Sequence, residues 1–306
     1  MNLPKSVTVV EVGPRDGFQM EKTFIPTNTK IEVINALIRT GMKRIEVTSF
    51  ISPKAIPQMQ DASEVVAGID RPQGVFVEAL VPNPKGAENA AQAGVDGMRV
   101  FVSASESHNR KNVNRTIEES LVGFREVVRI GEEAGIPVGG DIAVSFGCPF
   151  EGNIPLDRLG LIVNRMLDLG IKSITLGDTT GMATPPIVRE TCEFLLKSHP
   201  QLDLGLHFHN TRGIGLVNVY EALGLGIGTF ESSIAGLGGC PFAPGATGNV
   251  CTEDMVYLFH ELGIHTGIDL KELVMVARKV EEVIGRPLPG QVMKAGQRLD
   301  LHPCVL

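Results

Sequence analysis

Eight short runs rich in β-branched residues alternate with helical patterns along the chain, and this alternation limits the possible folds more than any other feature. The runs are VTVVEV (7–12), RIEVTS (44–49), VFVEAL (75–80), MRVFVS (98–103), VGGDIAV (138–144), SITLGD (173–178), LGLHFH (204–209) and TFESSI (229–234). Between the first two, TNTKIEVINALIRTG (27–41) places Ile31, Ile34, Ala36, Leu37 and Ile38 on one helical face and stops at Gly41. TIEESLVGFREVVRIGEEAG (116–135) opens on Thr116 with Glu119 three residues on, the spacing of a capping box. The turns RTGMKRIEV, QAGVDGMRV, EAGIPV and DLGIKSITL each end a helix at a glycine before the next strand. With no linker between copies, eight βα units predict a single domain over 1–306, an α/β protein of the (β/α)8 TIM-barrel class. The barrel is expected over about 7–235, a Gly/Cys loop over 235–249 and additional C-terminal helices over about 250–290. A doubly wound open sheet is the alternative, but the first β-turn reads VGPRDGFQ and not G-x-G-x-x-G.

Composition removes several function classes. A net charge of -7 argues against a nucleic-acid groove, which needs a basic face. Five cysteines without a CxxC pair indicate a reduced, cytoplasmic protein. No apolar run approaches the roughly 18 residues of a membrane span, and the first strand begins too early for a leader to precede it.

The C-terminal ends of the strands are where a TIM barrel does its chemistry. Ionisable and polar residues gather in or just after them: Glu11, Arg15, Asp16, Glu46, Ser49, Glu78, Ser103, Ser105, Asp141, Asp178, His207 and His209. Polar groups on strands this apolar are costly unless paired or bound. In GLHFHNTRGIG (205–215), residues two apart on a strand share a face, so His207 and His209 both point to the barrel mouth while Phe208 packs outward. Paired imidazoles make poor core filler, because each ring nitrogen needs a partner. They make a good half-site for a divalent cation, to which Asp16 offers a carboxylate oxygen and Asn249 an amide oxygen. Two imidazoles and two oxygens suit Mg2+ or Mn2+.

AGLGGCPFAPGATGN (235–249) follows the eighth strand and centres on Cys240, a thiol with access to the mouth and a candidate proton donor or acceptor. The similar string FGCPFEG (146–152) follows a core strand, so its Cys148 reads as structural.

EVGPRDGFQ, IEVTSFISPK (45–54), LGDTTG (176–181), HFHN and AGLGGCPFAPGATGN, in this order, resemble the 3-hydroxy-3-methylglutaryl-CoA lyase family over residues 7 to 267. The resemblance implies a metal-dependent TIM-barrel lyase, a homodimer, that cleaves hydroxymethylglutaryl-CoA to acetyl-CoA and acetoacetate. It implies Asp16, His207, His209 and Asn249 as metal ligands, Arg15 as the cation facing the thioester carbonyl and Cys240 as the catalytic thiol. Glu46 and Asp178 become groups touching the ligands or the substrate. The coenzyme A part of the substrate needs cations for its phosphates, and the basic loop ESHNRKNVNR (106–115) supplies Arg110, Lys111 and Arg115. The chain departs from the family pattern at Met20 (Asn expected), at Asp141 (an aromatic expected) and at NTRG (210–213), where Asp-Thr-Tyr-Gly is expected. A polar residue in place of an aromatic one can shift selectivity, toward citramalyl-CoA or a longer-branched 3-hydroxyglutaryl-CoA. The rival readings are a Claisen-condensing synthase of the same superfamily and a non-catalytic barrel that binds metal or acyl-CoA.

Overall fold

The computed structural model describes residues 3–239 and 248–301. Eight parallel strands close on themselves in chain order, with β1 paired to both β2 and β8. They are β1 (Thr8–Glu11), β2 (Arg44–Ser49), β3 (Phe76–Leu80), β4 (Gly97–Ser103), β5 (Val138–Ala143), β6 (Ser173–Gly177), β7 (Asp203–His207) and β8 (Thr229–Ser232). Eight of the helices lie between strands: α1 (Thr27–Arg39), α2 (Ala62–Gly68), α3 (Pro84–Ala93), α4 (Glu106–Val113), α5 (Ile117–Ala134), α6 (Leu156–Asp168), α7 (Pro185–Ser198) and α8 (Gly215–Leu223). Three more follow the barrel: α9 (Thr252–Glu261), α10 (Leu270–Ile284) and α11 (Val292–Ala295). None of the described helices is long and apolar enough to cross a membrane.

The strands match the sequence expectation to within two residues at most ends. The capping box of α5 is present, with Thr116 Oγ1 accepting from the Glu119 N–H and the Glu119 carboxylate accepting from the Thr116 N–H. Two expectations need correction. Residues 106–115 are not a loop: Ser105 caps α4, which runs to Val113, because its side chain accepts the His108 N–H in place of a missing helical partner. The seventh strand ends at His207 rather than His209, and His209 instead bridges Asn249.

Register places Ile45, Val77, Val100, Ile142, Leu176, Leu206 and Phe230 on the outer face of the sheet. They are fully buried against the helices, each worth roughly 1.5–3 kcal/mol of burial. The hydrophobic core is therefore a ring around the barrel. The lumen itself is polar. Arg44, Glu46, Glu78, Arg99, Asp141, Thr175, His207 and Glu231 share the inner face.

Candidate active site

The lumen charges pair along the barrel axis. Near the N-terminal ends of the strands, Arg44 donates two hydrogen bonds to Glu78, at 2.9 and 2.8 Å. Glu78 thus belongs to the end away from the mouth, because the alternation of β3 fixes its side but its early position fixes its depth. Midway, Arg99 pairs with Asp141, donates to Thr175 Oγ1 at 2.8 Å and lies 3.7 Å from Glu231. Thr175 in turn donates to Glu231 Oε1 at 2.8 Å. Toward the mouth, Arg15 donates to Glu46 Oε2 and to Asp16 Oδ1, both at 2.7 Å. Three arginines thus face five carboxyl groups in these pairings.

Arg15 and Asp16 stand on a wide π-helical turn, Gly13–Gly17, directly after β1. This turn aims both side chains back over the lumen, where an ordinary strand-to-helix step would send one outward. Asp16 Oδ2 accepts from Asn249 Nδ2 at 2.8 Å, and Gln19 donates to Oδ1 at 3.2 Å. Burial would raise the pKa of Asp16, but Arg15, His207 and the Asn249 hydrogen bond draw it below the ordinary carboxylate value. Asn249 arrives from the C-terminal side of the glycine-rich loop. Val250 N–H donates to the Phe208 carbonyl and Ser233 N–H to the Val250 carbonyl, so this segment wedges between the ends of β7 and β8. Gly238 is required opposite it: φ is +116°, and a Cβ there would lie 2.5 Å from Asn249 Nδ2.

His207 and His209 stand with ring centroids 5.2 Å apart, and Phe208 packs outward on Phe146. The ligand atoms of Asp16, His207 and His209 all lie within 4.8 Å of one another. His207 Nδ1 donates to Glu231 Oε2 at 3.0 Å, leaving Nε2 as the ring atom that could take a cation. Burial lowers its pKa, but the Glu231 hydrogen bond and charge outweigh that and the net shift is upward. For His209, burial and then the neighbouring His207 push the pKa down to about 3, so this ring is neutral at physiological pH. Among the described residues, His209 Nδ1, Asn249 Oδ1, Glu46 Oε1 and Asp178 Oδ2 are buried without a hydrogen-bond partner. Two of these belong to the donor set itself. A divalent cation fits the neutral imidazole, the spare amide oxygen and the ionised Asp16 carboxylate.

Glu46 and Asp178 are both buried carboxylates pushed up in pKa. Desolvation carries Glu46 to about 8 despite Arg15, and Asp178 to about 7 despite the Ala183 and Met182 N–H groups on its Oδ1. Glu46 therefore keeps its proton near neutrality, and Asp178 exchanges one there. Cys240 lies outside the described residues. Cys148 is buried, its thiol donating to Ser105 Oγ at 3.0 Å. Ser103 likewise serves α4, with its hydroxyl 2.7 Å from His108 Nδ1.

Glu11 is not part of the mouth. Its register partners Ile45 and Ser232 face outward, and so does it. Arg110, Lys111 and Arg115 are exposed on α4 and just beyond it, with Lys111 over the Phe150 ring at 4.7 Å. Of the three departures, Asp141 is held by Arg99 in the lumen, and Arg212 is tied to the carbonyls of Thr180 and Gly181 at 2.8 and 2.7 Å. Met20 lines a cavity of about 500 Å³ outside the lumen, with Lys22, Phe24, Ile284 and Arg286. Sequence reasoning passed over Arg99, Thr175 and Glu231. The signal was present: each falls on the inward phase of its strand, opposite the apolar residues beside it.

The HMGL-like family model matches residues 6–280 of this chain. The chain belongs to the HMGL-like family. Hydroxymethylglutaryl-CoA lyase YngG of Bacillus subtilis is 45% identical over 95% of this chain and 97% of its own length. The mitochondrial hydroxymethylglutaryl-CoA lyase of Gallus gallus is 44% identical over 97% and 99%. A solved HMG-CoA lyase from Acinetobacter baumannii, in complex with coenzyme A and 3-methylmalate, superposes with a TM-score of 0.93. It is 45% identical and covers 98% of both chains. The resemblance read from the motifs is borne out, and the family member described here is a lyase.

Proposed function

We propose that this chain cleaves 3-hydroxy-3-methylglutaryl-CoA to acetyl-CoA and acetoacetate, with a divalent cation, Mg2+ or Mn2+, held by Asp16, His207, His209 and Asn249. The observation that carries the reading is the donor cluster of one carboxylate and two imidazoles within 4.8 Å, beside Arg15. When bound, the cation supplies Lewis acidity toward the substrate's tertiary hydroxyl and orients the bond to be broken. The hydroxyl proton leaves, the carbon–carbon bond breaks, and its electron pair moves onto the thioester as an enolate. Arg15, pinned by Glu46, donates to that enolate oxygen, a stabilisation of the oxyanion-hole kind. Beside the reacting atoms Glu46 holds a proton and Asp178 can take or give one, since burial has raised both. Proton balance requires a base that takes the hydroxyl proton and an acid that protonates the enolate carbon to the methyl group of acetyl-CoA, and Cys240 serves one of these two transfers.

The phosphates of coenzyme A have two cationic rims to choose from. One is Arg110, Lys111 and Arg115 on and after α4. The cavity beside Met20 favours a second, formed by Lys22 and Arg286. Neutralising the rim that is used raises KM for the thioester and leaves kcat unchanged; neutralising the other changes neither.

The test is turnover by the full-length protein. Hydroxymethylglutaryl-CoA with Mn2+ is expected to yield acetyl-CoA and acetoacetate, chelator to stop the reaction and Mn2+ to restore it. Cys240→Ser is expected to lower kcat by about a hundredfold or more, the usual scale for a lost proton-transfer group. No cleavage by the unaltered protein refutes the reading. Preferential cleavage of citramalyl-CoA or a longer-branched thioester would move the substrate while keeping the chemistry. Condensation of acetyl-CoA with a 2-oxo acid would reverse the assigned direction.

Glu231 offers a narrower check. It accepts from His207, and although burial raises its pKa, that hydrogen bond and Arg99 bring it down to about 2, so it is ionised. Glu231→Gln should weaken Mn2+ binding by about 10- to 100-fold, as seen when a ligand histidine loses its partner. Titration calorimetry with Mn2+ measures this; an unchanged affinity removes His207 from the donor set.

A further inference from the structure

We infer that Glu11 is a positioning residue that sets the geometry of the metal donors from outside the barrel. Its carboxylate is completely buried at the end of β1. Oε1 accepts the backbone N–H groups of Gly13 at 2.7 Å and Ile234 at 2.8 Å, and Oε2 accepts the Thr252 hydroxyl at 2.7 Å. These contacts join three segments, and each leads to a residue of the mouth. Gly13 opens the turn that carries Arg15 and Asp16. Ile234 opens the short turn before Leu237, whose carbonyl accepts from Asn249 Nδ2 at 2.9 Å. Thr252 begins α9, just after Asn249 leaves the mouth.

The arrangement is tight and strained, as expected where a turn must hold one shape. Ala235 has a φ of 55°, a left-handed conformation that a residue with a Cβ adopts only when its surroundings impose it. Its N–H is held at 3.0 Å by a second buried carboxylate, Glu253, while Glu11 holds the N–H before it. A Cβ on Gly13 would lie 2.7 Å from Glu11 Oε1 and 2.9 Å from Ser233 Oγ, so the first turn rests directly on the clamp. The Asn249 amide then spans both sides, bonding Leu237 on one and Asp16 Oδ2 on the other. Any relative slip of the two turns changes the distance from Asp16 to Asn249. Glu11 touches neither donor. It acts through the backbone that carries them.

The functional consequence rests on the reading of Asp16 and Asn249 as metal donors. The test uses the full-length protein with Glu11→Gln, which keeps the shape but exchanges one acceptor oxygen for an NH2 donor, and Thr252→Val, which removes one of the three contacts. Hydrogen exchange at the Gly13 and Ile234 amides reads the clamp, and Mn2+ titration reads the donors. Glu11→Gln is expected to speed exchange at both amides and to weaken Mn2+ binding about tenfold or more, with kcat falling and KM little changed. Thr252→Val should move each quantity the same way by less. A folded Glu11→Gln protein with a lower melting temperature but unchanged Mn2+ affinity would overturn the inference, because Glu11 would then hold only the fold. If Glu11→Gln does not fold, Thr252→Val decides, and unchanged Mn2+ affinity there overturns it equally. Failure of the unaltered protein to bind Mn2+ would overturn the metal reading instead. The positioning role would then be judged by exchange and by a crystal structure of the variant, where an Asn249–Asp16 contact still at 2.8 Å rejects it.

Discussion

Asp16→Asn is expected to lower kcat/KM for hydroxymethylglutaryl-CoA by about a thousandfold while leaving the fold intact. Asp16 is the one carboxylate in the donor cluster, and its neighbours hold it ionised. Asparagine fills the same space without the charge. A neutral oxygen binds a hard dication far more weakly, and a loss of about 4 kcal/mol in transition-state stabilisation corresponds to that factor of a thousand. Arg15 keeps its 2.7 Å contact with Glu46. The substitution forfeits the stability that the lowered pKa of Asp16 represents, so the melting temperature in chelator should fall modestly at neutral pH and approach that of the intact protein as pH falls. Steady-state kinetics over a range of Mn2+ concentration, beside thermal unfolding, measures both. A loss smaller than tenfold at saturating metal would detach Asp16 from the chemistry.

Arg15→Met should damage both catalysis and stability. Its side chain is 11% exposed and lies between Asp16 and Glu46, which are 18% and 4% exposed. Removing it strands the nearly buried Asp16 carboxylate, joined above about pH 8 by that of Glu46, at a cost of about 3–5 kcal/mol in the metal-free protein. Catalysis should fall by about 10²–10³ through loss of the donor to the enolate oxygen. The stability deficit depends on pH in a defined sense. In the intact protein the pKa of Asp16 is lowered, so its stabilisation is present above the unfolded carboxylate value and is lost as pH falls. Without Arg15 that stabilisation is gone, and this share of the deficit opens as pH rises through the carboxylate range. Glu46 behaves differently. Burial has already raised it to about 8, so intact and altered proteins both keep it protonated below that value. Its share of the deficit opens only above about pH 8. Thermal unfolding in chelator from pH 4 to 9 should therefore show a gap that widens with pH; a constant gap would mean that packing, not charge, is what Arg15 contributes.

Much of the mouth was legible because a strand's period of two assigns each residue to a face. His207 and Glu46 needed only that rule and the direction of the barrel, whereas His209 lies past the end of β7 and is placed by its bridge to Asn249. Asp16 and Arg15 were legible as a motif, but the turn that aims them is helical, and no strand periodicity describes it. Glu11 and Glu78 show the limit. Each is an acid on an apolar strand, and the sequence alone grouped both with the mouth. Glu11 points outward into the contact with α9, and Glu78 lies toward the opposite end of the lumen with Arg44. Composition also misled over residues 106–115, where a basic, polar string formed a capped helix.

The sequence by itself determined the βα repeat, the closed barrel it builds and the residue types gathered at the strand ends. Those properties are local: hydrophobic periodicity, glycine stops and caps act over a few residues, and so they can be read along the chain. Only the tertiary structure decided which charges meet. Arg99 pairs with Asp141 across 42 residues, Glu231 reaches His207 across 24, and Glu11 binds Ile234 across 223. Whether a buried carboxylate orients a ligand, balances an arginine or clamps a turn depends on what desolvates it and what faces it. Both are set by barrel closure, which brings together groups that chain separation alone cannot pair.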